Sequence, residues 1–262
     1  MNNYALEQAE ELFEQALEYF LGIEKEKNMI HAKELLQQSS ELGLSKSSNL
    51  LGDWYIKKII PGDNYKEAFK LYTRGYEFGD MRSFSRLAMC YEKGYGIKKD
   101  IPKALELYEK SVELGNKDAC FSIARIYEKG ENIKMDLSKA ILWYKRGYEK
   151  GDADCACNLA TCYYKGKGIE QNIEKAKEIF LAFSEYNTQN QRNLGVIFYK
   201  GTPSCKPNEE EAIYWFTKAA NNGDITSMLH LGKIYKNLDK EKAMEWYRKA
   251  GSLDHKKAAY SY

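Results

Sequence analysis

Side chains able to carry catalysis or hold a metal are present in this chain, but their spacing argues against either use. The histidines are His31, His230 and His255, and none has Cys, Asp or Glu at the spacing of a metal site. The six cysteines, Cys90, Cys120, Cys155, Cys157, Cys162 and Cys205, lack the paired spacing of a zinc knuckle and read as reduced thiols. Cys155 and Cys162 share helical spacing with Leu159, so they fit a packed face, where small buried cysteines are ordinary. Gly94-Tyr95-Gly96 and Gly166-Lys167-Gly168 resemble phosphate loops only in composition, because no strand precedes them. The acidic run Glu209-Glu210-Glu211 falls in a predicted first helical turn, which favours negative charge. The expectation is a protein that is not an enzyme, with no catalytic residues, cofactor or metal.

The elements that hold these side chains are legible from recurrence. A capping residue returns every thirty-six positions at Asn28, Asn64, Asp100, Asp136, Asn172 and Asn208, each followed four residues later by Ala32, Ala68, Ala104, Ala140, Ala176 and Ala212. One aromatic ladder runs Tyr19, Tyr55, Tyr91, Tyr127, Tyr163, Phe198, Tyr235, and a second runs Tyr72, Tyr108, Tyr144, Phe180, Phe216, Tyr247. Gly43, Gly79, Gly115, Gly151 and Gly223 close units, usually followed by Asp or Asn, as a left-handed helix end followed by a new cap requires. Each unit therefore reads helix, turn, helix, turn.

In the unit from Ser83 to Gly115, Ser83, Leu87, Ala88 and Tyr91 form one helical stripe. Asp100 caps the next helix, Pro102 sits in its first turn, and Ala104, Leu107, Tyr108, Ser111 and Val112 form its packed face. The order Leu-Ala/Gly, Tyr, Gly-x-Gly-Ile, Asp, Lys-Ala, Trp/Leu-Tyr, Gly resembles the Sel-1-like repeat of the tetratricopeptide superfamily. The fullest copies are Ile123 to Gly151 and Leu194 to Gly223. The resemblance implies an all-α fold, a right-handed α/α superhelical solenoid of about seven helix-turn-helix repeats, with the first helices lining a concave face. It also implies a protein-binding scaffold or adaptor. The repeats are placed at 9–43, 47–79, 83–115, 119–151, 155–186, 190–223 and 227–254 of one domain, with a partial C-terminal cap at 255–262. Between the fifth and sixth, Tyr186-Asn187-Thr188 replaces the expected Gly and predicts a local change of pitch.

With that geometry the groove positions, among them Asn49, Asp53, Met89, Glu92, Lys93, Phe121, Arg125, Lys129 and Arg192, carry eleven Lys or Arg against five Asp or Glu, while the whole chain has a net charge of only +2. Lys57, Lys93, Lys129, Lys165 and Lys200 end successive first helices, where a cation gains about 0.3–1 kcal/mol from the helix dipole. That accounts for part of the surplus. It does not account for Arg82, Arg125, Arg192 and Lys233, expected in mid-helix, nor for Tyr164 and Tyr199 where earlier units have glutamate. Arg and Tyr are common interface anchors. The expected partner-binding residues are thus Arg82, Arg125, Lys129, Tyr164, Lys165, Arg192, Tyr199, Lys200 and Lys233, facing another protein or an acidic peptide segment. An immunity or inhibitor protein that occludes a toxin or enzyme is the alternative. Single-stranded nucleic acid is a weaker one, because acidic residues interrupt the groove.

The first helix departs from the pattern: Phe13, Leu17 and Phe20 lie off the stripe of Leu12, Ala16 and Tyr19, marking a second candidate interface and a homodimer surface. No apolar run approaches the roughly 18 residues of a membrane helix. The acidic start, without a basic region and apolar core, reads as cytoplasmic rather than as a secretory signal.

Overall fold

The computed structural model describes residues 3–23, 25–61 and 64–259, with side chains for all of these but 3 and 254–259. The chain divides into two compact units, Met1–Met135 and Asp136–Tyr262. Among the described residues every regular element is a helix, and Thr202 and Cys205 form an isolated antiparallel bridge.

The first unit holds α1 (Asn3–Leu21), α2 (Met29–Glu41), α3 (Ser45–Ile56), α4 (Asn64–Glu77), α5 (Met81–Lys93), α6 (Ile101–Glu113) and α7 (Asp118–Lys129). Helices pack as the pairs α1/α2, α3/α4 and α5/α6, and α7 lies on α6. The second unit holds α8 (Leu137–Glu149), α9 (Ala153–Lys165), α10 (Ile173–Ala182), α11 (Thr188–Lys200), α12 (Glu209–Asn221), α13 (Ile225–Leu238) and α14 (Lys240–Ala259). Here α9/α10, α11/α12 and α13/α14 are the pairs, and α8 packs on α9.

The alanine ladder and the second aromatic ladder up to Phe216 form the core, whereas Tyr247 is exposed and only Tyr55 and Tyr163 of the first aromatic ladder are buried. Each of the six ladder alanines is at most 1% exposed, which lets a neighbouring helix approach closely. Tyr72, Tyr108, Tyr144, Phe180 and Phe216 are buried, and full burial of such a side chain stabilises by about 1.5–3 kcal/mol. Their tips press on small residues of the paired first helix: a Cβ on Gly52 would meet Tyr72 at 2.5 Å, and one on Gly195 would meet Phe216 at 2.6 Å. Buried serine hydroxyls join consecutive pairs, Ser39 to Ser47 at 2.6 Å and Ser40 to Ser48 at 2.7 Å.

Five of the six expected second-helix caps form. Asn28, Asp100, Asp136, Asn172 and Asn208 accept the backbone N–H three residues on, in α2, α6, α8, α10 and α12. Asn64 differs. It is the first residue of α4, and its Oδ1 is buried without a hydrogen-bond partner. The turn before it lacks the Gly-x-Gly of the turns at Gly94–Gly96 and Gly166–Gly168 and instead places Lys58 at φ 55°. Asp80, Asp152, Asn187 and Asp224 cap α5, α9, α11 and α13.

Two further departures concern ends. Helix α10 stops at Ala182 after 10 residues, against 13 for α8 and α12, ahead of the irregular Tyr186-Asn187-Thr188 segment. Helix α14 runs without interruption to Ala259, past the boundary at which the C-terminal cap is expected to begin. Gly251 lacks the positive φ that ends other units, so the backbone stays helical through it. The side chains of the expected cap at 255–262, His255 included, lie outside the described residues.

Candidate functional site

In the first unit, α5, the start of α6 and α7 enclose a cleft of about 330 Å³. Repeat register explains its composition, since Met89, Glu92 and Lys93 of α5 and Phe121, Arg125 and Lys129 of α7 all occupy predicted groove positions. Ile101, Tyr108 and Ile126 complete an apolar floor. The rim is mostly charged, with Lys93, Lys99, Arg125 and Lys129 against Glu92 and Glu131.

Part of that charge is internally spent. Lys93 bonds Glu92 at 2.5 Å, and the other Glu92 oxygen accepts from the Tyr108 hydroxyl at 2.9 Å. Burial, and then the Glu92 charge, push the Tyr108 phenol far up, so it remains a protonated donor. Lys129 lies 3.8 Å from Glu131. Arg125 lays its guanidinium over the Phe121 ring, 5.6 Å from the centroid, and neither it nor Lys99 has an acidic partner among the described residues. Arg82 is exposed on the first turn of α5 and does not line the cleft.

Asp53, another predicted groove position, is committed to structure. It accepts from Arg86 Nε at 2.8 Å, from Arg86 Nη2 at 2.7 Å and from the Tyr72 hydroxyl at 2.7 Å. Burial acts to raise its pKa, yet the Arg86 fork and Tyr72 hold the carboxyl below the usual carboxylate range. Asn49 is equally engaged, donating to Asp80 at 2.8 Å and accepting from the buried Ser83 hydroxyl at 2.9 Å.

In the second unit, Arg192 plays the part that Asn49 plays in the first. Its Nη1 donates to Asp224 Oδ1 at 2.8 Å, while Asp224 Oδ2 caps α13 through the Ser227 N–H and hydroxyl. Arg192 therefore braces a helix start. Tyr164 is half-buried, and Lys165 and Lys200 are exposed at the ends of α9 and α11, beside Tyr199 at 44% exposure. Lys233 is exposed on α13.

His230 is a functional candidate that sequence reasoning passed over. Its ring stacks on Phe216 with centroids 4.7 Å apart. Burial, then the Lys233 charge, with Lys200 and Arg192 adding to it, lower its pKa. The signal available was positional: Arg86, Ser122 and His230 share one repeat position, each preceding the buried Leu or Ile of a first helix, and at that position Arg86 bonds Asp53 while His230 stacks on Phe216. His31 lies 3.5 Å from Glu34 and edge-on to Tyr19. Among the described residues no group of three or more His, Cys, Asp or Glu could hold a metal.

On α1, Phe13 lies under the Lys46 ammonium at 4.6 Å, and Phe20 packs on Trp54 with centroids 4.7 Å apart. Leu17 is partly buried between them in sequence. The exposed apolar side chains at this end are Tyr4, Leu6, Leu21, Ile23 and Ile30.

The Sel1 repeat family model matches residues 16–44, 48–80, 85–116, 117–152, 153–184, 191–224 and 227–255. The chain belongs to the Sel1 repeat family. Sel1 repeat proteins generally mediate protein–protein interaction and are typically non-catalytic. Among solved structures, a Sel1 repeat protein from Oxalobacter formigenes is similar, with 24% identity and a TM-score of 0.76, covering 94% of this chain and 99% of that one. So is c5321, a protective antigen of uropathogenic Escherichia coli, with 24% identity and a TM-score of 0.62 over 93% of this chain and 61% of that one. Immunity protein PA5088 from Pseudomonas aeruginosa aligns at 18% identity with a TM-score of 0.53, covering 83% of each chain. At these identities the likeness is one of Sel1 fold. No curated protein matches the chain.

Proposed function

We propose that this Sel1 repeat protein is a non-enzymatic adaptor whose first-helix faces bind an acidic segment of another protein. The observation that carries the reading is the pair of unneutralised cations, Arg125 and Lys99, at the rim of an apolar cleft. An incoming carboxylate would gain charge-assisted hydrogen bonds there, with Arg125 already held flat by Phe121. Exposed ion pairs contribute only about 0–1 kcal/mol each, so several must act together with apolar burial. In the second unit Lys165, Tyr199, Lys200 and Lys233 are the exposed groups available for such contacts.

Affinity capture from the native host, followed by mass spectrometry, identifies the partner. Binding is then compared between the native chain and an Arg125→Glu/Lys99→Glu/Lys233→Glu variant. Retention of the partner at undiminished affinity by the folded variant would sink the assignment to these faces.

A second reading makes the partner a toxin. It draws on the fold shared with a Pseudomonas aeruginosa immunity protein, a likeness that carries fold alone. Protection of cells from a toxin encoded beside this gene would favour it, and indifference of the toxin to the purified protein would exclude it.

A further inference from the structure

We infer that the cleft between α5 and α7 is a specificity pocket for one bulky apolar side chain, so that the recognised segment sets such a residue beside Asp or Glu. The inference rests on the acidic-segment reading above and adds what selects among acidic segments.

Three observations lead there. First, the floor is mostly apolar. Met89, Ile101, Phe121 and Ile126 line it, the Tyr108 hydroxyl is already bonded to Glu92, and Ser122 adds a single hydroxyl. A polar side chain entering would lose more hydrogen bonds to water than this floor returns, at about 1–3 kcal/mol for each group left unpaired, whereas an apolar one gains from burial. Second, the volume of about 330 Å³ stands at the low end of the roughly 300–1,000 Å³ of ligand pockets, which suits a single large side chain. Third, the rim is asymmetric in charge. Lys93 and Lys129 have Glu92 and Glu131 beside them, so the net positive charge left over resides on Arg125 and Lys99. Carboxylates flanking the inserted residue complement those two cations.

The test is selection of a random-peptide phage library on the full-length protein, with parallel selections on Met89→Trp, which fills the cleft, and Arg125→Glu, which reverses the rim charge. The expected result is enrichment of Phe, Leu, Met or Trp adjacent to Asp or Glu. Synthetic peptides from the enriched pool should weaken at least tenfold when the apolar residue becomes Ser. Both effects should vanish on Met89→Trp, with acidic enrichment lost on Arg125→Glu. Acidic enrichment without an apolar preference, unchanged on Met89→Trp, would overturn the pocket and leave the acidic-segment reading standing. Enrichment with no acidic preference would overturn both. Circular dichroism establishes that the variants fold. Phe121→Leu supplies a milder change of the same floor, expected to shift the preferred apolar residue rather than abolish the preference.

Discussion

Arg86 grips Asp53 through two parallel hydrogen bonds, Nε to Oδ1 at 2.8 Å and Nη2 to Oδ2 at 2.7 Å, tying α5 to α3 across thirty-three residues of sequence. The side chains are 28% and 25% exposed, so solvent screens the pair only partly. Arg86→Met should cost about 1–2 kcal/mol in urea unfolding at pH 7, more than an exposed pair, because the part-buried Asp53 carboxylate is left without the fork. The pH dependence has a defined sign. Asp53 is held below the ordinary 3.8 in the folded state, so its contribution is present above that value and lost as pH falls through the folded pKa. Asp53→Asn should flatten the acid limb of the stability profile below about pH 4. An unchanged limb would mean that the pair contributes nothing.

Two helical glycines should respond oppositely to alanine. A Cβ on Gly195 would stand 2.6 Å from Phe216 Cδ1, whereas one on Gly251 meets nothing within 4 Å. Gly195→Ala should destabilise by about 1–3 kcal/mol through overpacking. Gly251→Ala should stabilise by about 0.5–1 kcal/mol by relieving the entropic cost of glycine in a helix. Thermal unfolding of both variants decides the matter, and equal effects would contradict the packing described.

Arg192 and Lys233 should separate on mutation. Arg192→Ala removes the donor to Asp224, the cap of α13, and should lower stability by about 1 kcal/mol. Lys233→Ala alters an exposed cation and should stay within about 0.5 kcal/mol of the native value. Similar losses from both in denaturant melts would remove the distinction between bracing and exposed cations.

The cysteines should divide five to one. Cys90, Cys120, Cys155, Cys157 and Cys162 are buried, and burial pushes the thiols of Cys90 and Cys157 up to about 12. Only Cys205 is exposed, in the turn where Thr202 and Ser204 both donate to Glu174. A disulfide reagent at pH 8 should therefore label one thiol rapidly in the native protein and the other five on unfolding. Cys205→Ser should abolish the fast phase, and rapid labelling that survives it would show the buried set to be accessible.

Much of the candidate site was readable because register is readable. The thirty-six-residue spacing placed Met89, Phe121, Arg125 and Lys129 on one side of their helices, and the cleft gathers all four. What register could not say is which polar members were already spent. Asn49, Asp53 and Arg192 read as groove residues, yet each is bonded to the next first helix or its cap, at Asp80, Arg86 and Asp224. His230 was weighed only as a metal ligand, for which its spacing to Cys, Asp and Glu is wrong, whereas its stacking on Phe216 depends on how α12 and α13 pack.

The sequence by itself determined the helices, their buried alanines, most of their caps and most of the second-helix aromatics, since each follows from local rules. Asn172 shows how: its side chain caps α10 while its backbone N–H reaches the Tyr163 carbonyl at 2.9 Å, only nine residues away. The fate of the charged side chains was decided by tertiary structure alone. Whether Arg86 or Arg192 finds a carboxylate, while Arg125 does not, depends on how successive repeats stack to within an ångström or so. A hydrogen bond is made or lost over that distance, and no periodicity in one chain encodes it.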